Sequence, residues 1–301
     1  MFQREYAVDY LLLLTIALIW STSFLLIKVG VETIPPATLT SGRLIVAAVL
    51  LVGFLIYKGE KLLTTPSALL LYSVVGVFGN SLPFILISWG ELSVDSSLAA
   101  ILMGIMPILT FVLAHFFIPS ESMTLRKVIG VCFGFAGLVT LVGLSALQGF
   151  NDRVVGQLVI LAAASSYAFT TIFVRSRPAF SGTQMATGAT IAGAVTSLPV
   201  AFLFESVNPA TVSNQSLIAL LILAVGPTAI AALIYFRVIH RLGATTFSQI
   251  NYLVPVLGSI WGVVFLSEIL HWRMIVALVM VLFGIFLIQL PAGALRRNNG
   301  E

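Results

Sequence analysis

Long apolar runs separated by short polar breaks form the pattern of this 301-residue chain. A helix that crosses a bilayer needs about 20 consecutive apolar residues. Ten runs approach or exceed this length, and the breaks between them are too short to hold a soluble domain. We therefore predict an all-α integral membrane protein with ten transmembrane helices. The predicted spans are Tyr10–Ile27, Ala37–Tyr57, Ala68–Ile87, Ser97–Ile118, Val128–Leu144, Val155–Val174, Thr183–Phe204, Leu217–Phe236, Thr246–Leu266 and Met274–Leu290.

One pattern recurs in the two halves at a constant spacing: an acidic residue, then an arginine, then a glycine. The matched pairs are Glu121 with Glu268, Arg126 with Arg273, and Gly137 with Gly284. Such register indicates an internal repeat. Because each copy holds five spans, an odd number, the second copy must cross the membrane in the opposite direction. We expect two inverted five-helix repeats, residues 1–147 and 148–301, which form one membrane domain around a central cavity.

The composition makes lipid the main solvent, because 59% of the residues are hydrophobic and 9% are charged. Soluble domains carry roughly a quarter charged residues. Most of the 15 Lys and Arg residues fall on one side when the loops are numbered alternately. Since basic residues accumulate in cytoplasmic loops, we expect both termini in the cytoplasm. The net charge of +4 comes with no basic cluster, so we expect no nucleic-acid partner.

The sequence contains few groups suited to catalysis or ion coupling. No acidic residue falls in the middle of a predicted span, and the three histidines and the one cysteine are scattered. A phosphate loop, a nucleophile elbow and a metal-binding helix pair are all missing. We therefore predict no enzymatic activity, no cofactor and no metal site. Either solute exchange is facilitative, or a loop-end acid such as Glu121 or Glu268 couples it to ions.

Helix-breaking residues occur at matching positions of the two halves. Gly79–Pro83 lies near the centre of the third span, and Gly226–Thr228 lies in the eighth. Proline removes a backbone donor and frees a carbonyl, and protein or cavity water must satisfy such groups in hydrocarbon. Paired interruptions point to a transport site, although single prolines can also serve only to kink a helix. The candidate residues are Asn80, Pro83, Pro107, Thr228 and Pro255.

Two aromatic residues lie in the middle of their spans, Trp20 in the first and Tyr167 in the sixth. Trp and Tyr normally prefer the membrane interface. The pair therefore predicts two aromatic walls of a cavity suited to apolar or aromatic groups, with packing between helices as the alternative. The nearby hydroxyls of Ser23 and Thr171 could bind substrate or could bond to their own helix.

Further polar positions complete the candidate site. Ser248, Gln249, Asn251 and Tyr252 precede Pro255 and would be costly to expose to lipid. We assign Asn251, Tyr252 and, in the fourth span, Met103 to the cavity lining.

Arg43 lies inside the second span, where a charge costs ~2.5–3.5 kcal/mol on insertion scales unless it snorkels or pairs. It could contact a substrate carboxylate, pair with Glu32, or snorkel to the lipid headgroups.

Several sequence features together resemble a known family. They are the run IWSTSFLLIK, the spacing from Pro36 to Arg43, the prolines Pro107 and Pro255 within spans, and the turns with Glu121 and Glu268. Their order along the chain and their repetition in the two halves resemble those of EamA-type members of the drug/metabolite transporter superfamily. One departure is Ser120 before Glu121, where that family usually has glycine.

The resemblance implies two inverted five-helix halves, with a cavity lined mainly by helices 1, 3, 4, 6, 8 and 9. It also implies export of amino acids or related metabolites across a bacterial inner membrane. We expect alternating access with aromatic or amphipathic amino acids as substrates, and export of drugs or other metabolites as the alternative. Without a basic cavity cluster, a sugar-phosphate or nucleotide-sugar carrier is disfavoured. The expected partners are the small-molecule substrate and the bilayer, with the protein a monomer or weak homodimer.

Overall fold

The computed structural model describes residues 2–118, 123–142, 151–175, 181–235, 238, 241, 247 and 250–289. Within these ranges all regular structure is helical. The helices are α1 (Phe2–Gly30), α2 (Pro36–Tyr57), α3 (Pro66–Gly90), α4 (Ser96–Phe117), α5 (Leu125–Val142), α6 (Asp152–Arg175), α7 (Gly182–Phe204), α8 (Asn214–Tyr235), α9 (Ile250–Leu266) and α10 (Trp272–Gln289), with a short 3₁₀ turn at Pro209–Thr211.

Eight helices in the described part of the chain are long and apolar enough to cross a membrane: α1 to α4, α6 to α8 and α10. α9 is a shorter apolar helix of 17 residues, and α5 has 18 residues. Large apolar side chains such as Leu11, Val49 and Phe202 are exposed on the outside of the bundle. Because lipid tails solvate such side chains, the all-helical membrane class is confirmed.

The core of the bundle lies around α4, which is the most buried of the eight spans. Its residues Leu98, Ile101 and Leu102 pack with Leu39 of α2 and Ile160 of α6 in one continuous apolar cluster. A helix that is apolar on all sides and surrounded by others occupies the centre of a bundle.

Helices from the two halves of the chain alternate in the bundle. α2 packs on α7, α4 packs on α9 and α5 packs on α10. α1 packs on α8 and α9, and α6 packs on α3 and α4. When each helix is replaced by its counterpart in the other half (α1 by α6, α2 by α7, and so on), the same set of neighbouring pairs results.

One end of the bundle is tied together by hydrogen bonds between loops and helix ends. The Lys28 ammonium, near the end of α1, donates to the carbonyl oxygens of Glu91 and Val94 at 2.5 and 2.8 Å. The Ser93 hydroxyl donates to the carbonyl of Asp152, the first residue of α6, at 2.9 Å. α1 therefore ends where α6 begins. We call this the Glu268 end, formed by residues 28–38, 90–97, 151–153, 205–216 and 267–268.

Two other helix pairs in corresponding positions also run in opposite directions. α2 begins beside the end of α7, where the Glu205 carboxylate accepts a hydrogen bond from the Ala37 N–H at 2.8 Å. α4 begins beside the end of α9, where the Glu268 carboxylate accepts one from the Ser96 N–H at 2.7 Å. In each pair, one helix begins at the Glu268 end and its counterpart finishes there.

Lipid provides no hydrophobic driving force for helix association, so close van der Waals packing has a larger share in it. Small residues make such packing possible because they let two helix backbones approach each other. Where α3 meets α7, a Cβ added at Gly76 would lie 2.5 Å from the Ala192 Cβ and 2.7 Å from the Gly193 nitrogen. The crossing of α5 and α10 is similarly tight at Gly130, where an added Cβ would lie 2.7 Å from the Gly284 carbonyl oxygen.

We expect Gly76→Ala to destabilise the protein by about 1–3 kcal/mol, because the added methyl group meets backbone atoms that cannot move aside without separating α3 and α7. Gly53→Ala is the matched control, since an added Cβ there has no neighbour within 4 Å. The measurement is the Tm of each variant in detergent. Equal Tm values for the two variants would contradict the close crossing.

Candidate functional site

The predicted interruptions of α3 and α8 are confirmed, and both take the form of π-helical turns. They span Val77–Ser81 in α3 and Ala224–Ile230 in α8. A π-helical turn shifts the backbone hydrogen-bond pattern by one residue and often marks a functional site. The two turns include Gly79 and Gly226, which occupy matching positions in the sequence repeat.

Hydroxyl groups satisfy backbone carbonyls at these turns. In α3, the Phe78 carbonyl accepts a hydrogen bond from the Ser166 hydroxyl of α6 at 2.7 Å. In α8, the Thr228 hydroxyl donates to the Leu223 carbonyl at 2.8 Å. Both irregular turns can therefore persist in a membrane, where water is not available to the backbone. Nothing in the sequence near Ser166 signals its role, because its partner is 88 residues away.

α4 is interrupted, but α9 is not. In α4 a turn at Gly104 and Ile105 separates Ser96–Met103 from Met106–Phe117, with Pro107 in the first turn of the second segment. α9 runs through Pro255 without a break, so this proline lies within a continuous helix rather than at an interruption. The Ser259 hydroxyl donates to the Pro255 carbonyl at 2.7 Å.

The turn in α4 and the proline of α9 nevertheless meet. A Cβ added at Gly104 would lie 3.1 Å from the Pro255 side chain. The absence of a side chain at Gly104 therefore lets the two helices approach each other here. Pro255 itself is buried, and Pro107 and Met103 are half-buried nearby in α4.

Arg43 is the most distinctive group in the interior, with a side chain only 3% exposed. Its Nε donates a hydrogen bond to the Thr228 hydroxyl of α8 at 3.1 Å. The guanidinium lies 3.9 Å from the centre of the Phe84 ring of α3, and Tyr167 of α6 interacts with it electrostatically. Arg43 thus joins four helices around the π-helical turn of α8.

This position decides between the three interpretations of Arg43. A buried side chain does not snorkel, so that interpretation is wrong. Glu32 is exposed, and within the described residues no carboxylate forms an ion pair with Arg43, so pairing with Glu32 is wrong as well. The remaining interpretation, a contact with a substrate carboxylate, stays a prediction.

Trp20 lies in an aromatic cluster between α1 and α8. Its ring centre is 6.1 Å from that of Tyr235 and 6.0 Å from that of Phe247, and the Tyr235 and Phe247 rings meet edge to face at 4.9 Å. Tyr167 packs against a different cluster, together with Met103. The two predicted aromatic walls are therefore half-buried in separate places rather than in contact with each other.

The remaining predicted residues divide by burial and bonding. Pro83 is buried, and Ser23, Asn80, Asn251 and Tyr252 are half-buried. Thr171 is exposed, and its hydroxyl donates to the Tyr167 carbonyl at 2.9 Å, so it serves its own helix. Ser248, Gln249 and Glu121 lie outside the described residues.

An apolar groove of about 440 Å³ lies at a distinct position, between α1, α8 and the last residue of α9. None of the predicted site residues lines it. Its lining consists of Leu26, Val29, Glu32, Gln215, Ile218, Ala219, Ile222 and Leu266.

Two carboxylates fasten the Glu268 end. Ser267 has a positive φ of 55°, and the Glu268 N–H bonds back to the Gly262 carbonyl at 3.2 Å, which is the helix-ending turn that needs a left-handed residue. This turn directs the Glu268 carboxylate to the N–H groups of Ser96 and Ser97, at 2.7 and 2.8 Å. Burial raises the pKa of Glu268, but the hydrogen bonds from Ser97 and Ser96 outweigh it and leave the pKa below its ordinary value.

The second carboxylate makes the same type of contact. Glu205 accepts from the N–H groups of Ala37 and Thr38 at 2.8 and 2.7 Å, and from the Thr38 hydroxyl at 2.8 Å. Neither α2 nor the first segment of α4 has an acidic residue in its own first turn. A negative charge at a helix N-terminus is favourable, so an acid from the other half of the chain fills that role. The sequence repeat drew attention to Glu268, but no comparable signal marked Glu205.

The interrupted helices and the fastened helix ends define a multi-pass membrane protein with an irregular interior. The model of the EamA-like transporter family matches residues 8–143 and, separately, residues 154–290. The chain belongs to this family.

Several known proteins are similar over most of their length. The uncharacterized transporter YoaV of Bacillus subtilis is 27% identical over 91% of this chain and 94% of its own. PagO of Salmonella typhimurium is 26% identical over 99% of both. A probable terminal-alkyne amino-acid exporter of Streptantibioticus cattleyicolor is 29% identical over 83% of this chain and 82% of its own. A solved crystal structure with 22% identity superposes with a TM-score of 0.64 over 98% of this chain and 99% of its own, which shows a shared fold.

We expect Glu268→Ala to lower stability by about 1–3 kcal/mol at neutral pH, because it leaves two buried N–H groups without an acceptor. The lowered pKa of Glu268 means that its contribution is present at neutral pH and is lost as the pH falls through that lowered value. The measurement is the Tm in detergent as a function of pH. Glu32→Ala, at an exposed acid of the same end, is the control. A Glu268→Ala variant as stable as the control at neutral pH would contradict this role.

Proposed function

We propose that this protein is an inner-membrane exporter of small metabolites that works by alternating access, with aromatic or amphipathic amino acids as its substrates. The observation that carries the proposal is Arg43, a buried cation without a carboxylate partner in the described part of the chain. An uncompensated buried charge is costly, and a substrate carboxylate is the partner that would compensate it.

The surroundings of Arg43 favour an amino acid with an apolar side chain. A guanidinium binds a carboxylate in a bidentate manner. Its neighbours Phe84 and Tyr167 are aromatic, and the adjacent Thr228 hydroxyl is already engaged with Leu223. The Streptantibioticus relative, which is named a probable terminal-alkyne amino-acid exporter, also supports this substrate class.

Export of drugs or other metabolites is the second candidate function. The half-buried aromatic cluster around Trp20 favours it, because aromatic faces accept many apolar molecules. A sugar-phosphate or nucleotide-sugar carrier has less support. Among the described residues Arg43 is the one fully buried basic side chain, whereas a phosphate dianion calls for several donors.

Ten helices in two inverted repeats, residues 1–147 and 148–301, are the architecture that we propose for this function. Two separate family matches, one in each half, support the duplication. The opposite directions of α1 and α6, α2 and α7, and α4 and α9 support the inversion. Symmetry-related halves can exchange conformations, which yields inward-open and outward-open states of similar energy.

The transport path runs between the halves past the π-helical turns. Its proposed lining is Trp20, Ser23, Arg43, Asn80, Pro83, Met103, Pro107, Tyr167, Thr171, Thr228, Asn251, Tyr252 and Pro255. In the state described here the Glu268 end is closed by the contacts of Glu205 and Glu268 with α2 and α4. With both termini in the cytoplasm, that end faces outward. Opening it requires those contacts to break. The protein acts as a monomer or weak homodimer, with no enzymatic activity and no cofactor.

The Arg43 site is tested by efflux of labelled phenylalanine, and of labelled phenethylamine as the analogue without a carboxylate, from proteoliposomes. Arg43→Gln should lower phenylalanine efflux by about 10–100-fold, since a charged hydrogen bond contributes about 1.5–3 kcal/mol. Phenethylamine efflux should change much less. Arg43→Lys should retain part of the activity, because it keeps the charge but loses the bidentate geometry.

Lys61→Gln, at an exposed basic residue outside the bundle interior, is the control for charge removal. Each variant must first elute as a monodisperse protein of wild-type Tm. Equal losses for both solutes would argue that Arg43 is structural. If neither solute moves faster than in protein-free vesicles, amino-acid export is wrong for this protein.

Membrane orientation is tested by fusing reporters to the C-terminus. A green fluorescent protein fusion should fluoresce and an alkaline phosphatase fusion should be inactive, because the C-terminus is in the cytoplasm. Alkaline phosphatase inserted after Asn208, in the loop between α7 and α8, should be active. The reverse pattern would place the Glu268 end in the cytoplasm.

A further inference from the structure

Glu91 is a buried acid that the transport mechanism above does not use. It follows α3 directly, in the short loop before α4, and its side chain is 0% exposed. Within the described part of the chain, neither of its carboxylate oxygens has a hydrogen-bond partner. An ionised carboxylate without donors is strongly disfavoured in such a place, whereas the neutral acid is tolerated.

The charged groups around Glu91 are occupied elsewhere. Lys28 of α1 uses its ammonium group for the carbonyl oxygens of Glu91 and Val94, not for the carboxylate. Glu268, after α9, is bound to the N–H groups at the start of α4. Asp95 of the same loop and Arg153 of α6 are exposed. They form a salt bridge with each other, with 2.8 Å between the Arg153 Nη2 and Asp95 Oδ2 atoms.

The electrostatic balance follows from these contacts. Burial raises the pKa of the Glu91 carboxyl well above its ordinary value, Lys28 lowers it in part, and the negative charge of Glu268 raises it further. Burial at the closed Glu268 end therefore favours the neutral form of the Glu91 carboxyl, and exposure to water would favour its ionised form.

We propose that Glu91 is a proton-binding site that gates the Glu268 end: the end stays closed while Glu91 is protonated and opens when Glu91 ionises. The proposal rests on the alternating access proposed above. Opening admits water to Glu91 and stabilises its charge, and the proton leaves to the same side of the membrane. Acidic solution at the Glu268 end keeps that end shut.

The sign of the effect follows from linkage. Because the closed state binds the proton more tightly, it is favoured at low pH and loses that advantage as the pH rises through the raised pKa. Each unit by which the pKa of the closed state exceeds that of the open state changes the open-to-closed ratio by about tenfold across the titration.

The test measures access of a water-soluble maleimide to one cysteine at the Glu268 end, in lipid nanodiscs and without any substrate. Cys132→Ser removes the single native cysteine. Ser97→Cys then places a thiol at a position that is 0% exposed and keeps the main-chain N–H that binds Glu268. Leu92→Cys, 51% exposed in the same loop, provides the reference rate, which cancels the increase of thiol reactivity with pH.

We expect the ratio of the two labelling rates to rise by about tenfold or more between about pH 5.5 and about pH 8.5. Glu91→Gln, which mimics the protonated acid, should keep the ratio low and independent of pH. Asp95→Asn, at the exposed acid of the same loop, should leave the rise intact. A flat ratio in the parent protein, or a rise that survives Glu91→Gln, would overturn the gate.

A second variant keeps the proposal testable if Glu91→Gln does not yield folded protein. Glu91→Asp retains an ionisable group, so it should retain a pH-dependent ratio with a displaced midpoint, and a flat ratio would contradict the gate. The labelling is independent of solute. If the protein exports amino acids but its labelling ratio does not change with pH, the proposed gate is wrong and the export function stands. If the labelling ratio changes with pH but no amino acid is exported, the export function is wrong and the gate stands.

Discussion

In hydrocarbon a backbone polar group has no water to bond, so each departure from regular helix requires a partner from the protein itself. The Ser166 hydroxyl reaches from α6 to the π-helical turn of α3, and the Thr228 hydroxyl serves the turn of α8. These hydroxyls keep the irregular turns in place, and Thr228 in the turn of α8 also accepts the hydrogen bond of Arg43. The shape of the interior thus depends on a few hydrogen bonds that apolar packing could not replace.

The same constraint orders the charges. Hydrogen bonds from helix N–H groups lower the pKa of Glu268, whereas burial without donors raises the pKa of Glu91 well above its ordinary value. Arg43 has a hydroxyl and an aromatic face as neighbours but no counter-charge in the described part of the chain. The three ionisable groups therefore differ in how many hydrogen bonds their surroundings supply to the charged form.

Periodicity and length could predict the helices, because an apolar run of about 20 residues satisfies its backbone groups within a bilayer by forming a helix. The interruptions of α3 and α8 were predictable, because Gly79 and Gly226 occupy matching positions and Pro227 follows Gly226. α9 shows the limit: Pro255 stays within a continuous helix, where Ser259 bonds the Pro255 carbonyl and Gly104 leaves room for the proline ring. Glu205, Ser166 and Glu91 were missed, since their importance comes from partners distant in sequence.

The contacts of Glu205 and Glu268 differ from ordinary ion pairs in one respect: their donors belong mainly to the main chain. Every amino acid except proline supplies such a donor. A change of side chain at positions 37, 38, 96 or 97 therefore leaves the main-chain donor in place, whereas a change of the acid removes the acceptor. At the Glu268 end, selection therefore acts on the side chain of the acid but not on the side chains of its donors. Variants of this protein should conserve Glu205 and Glu268 individually rather than show paired changes.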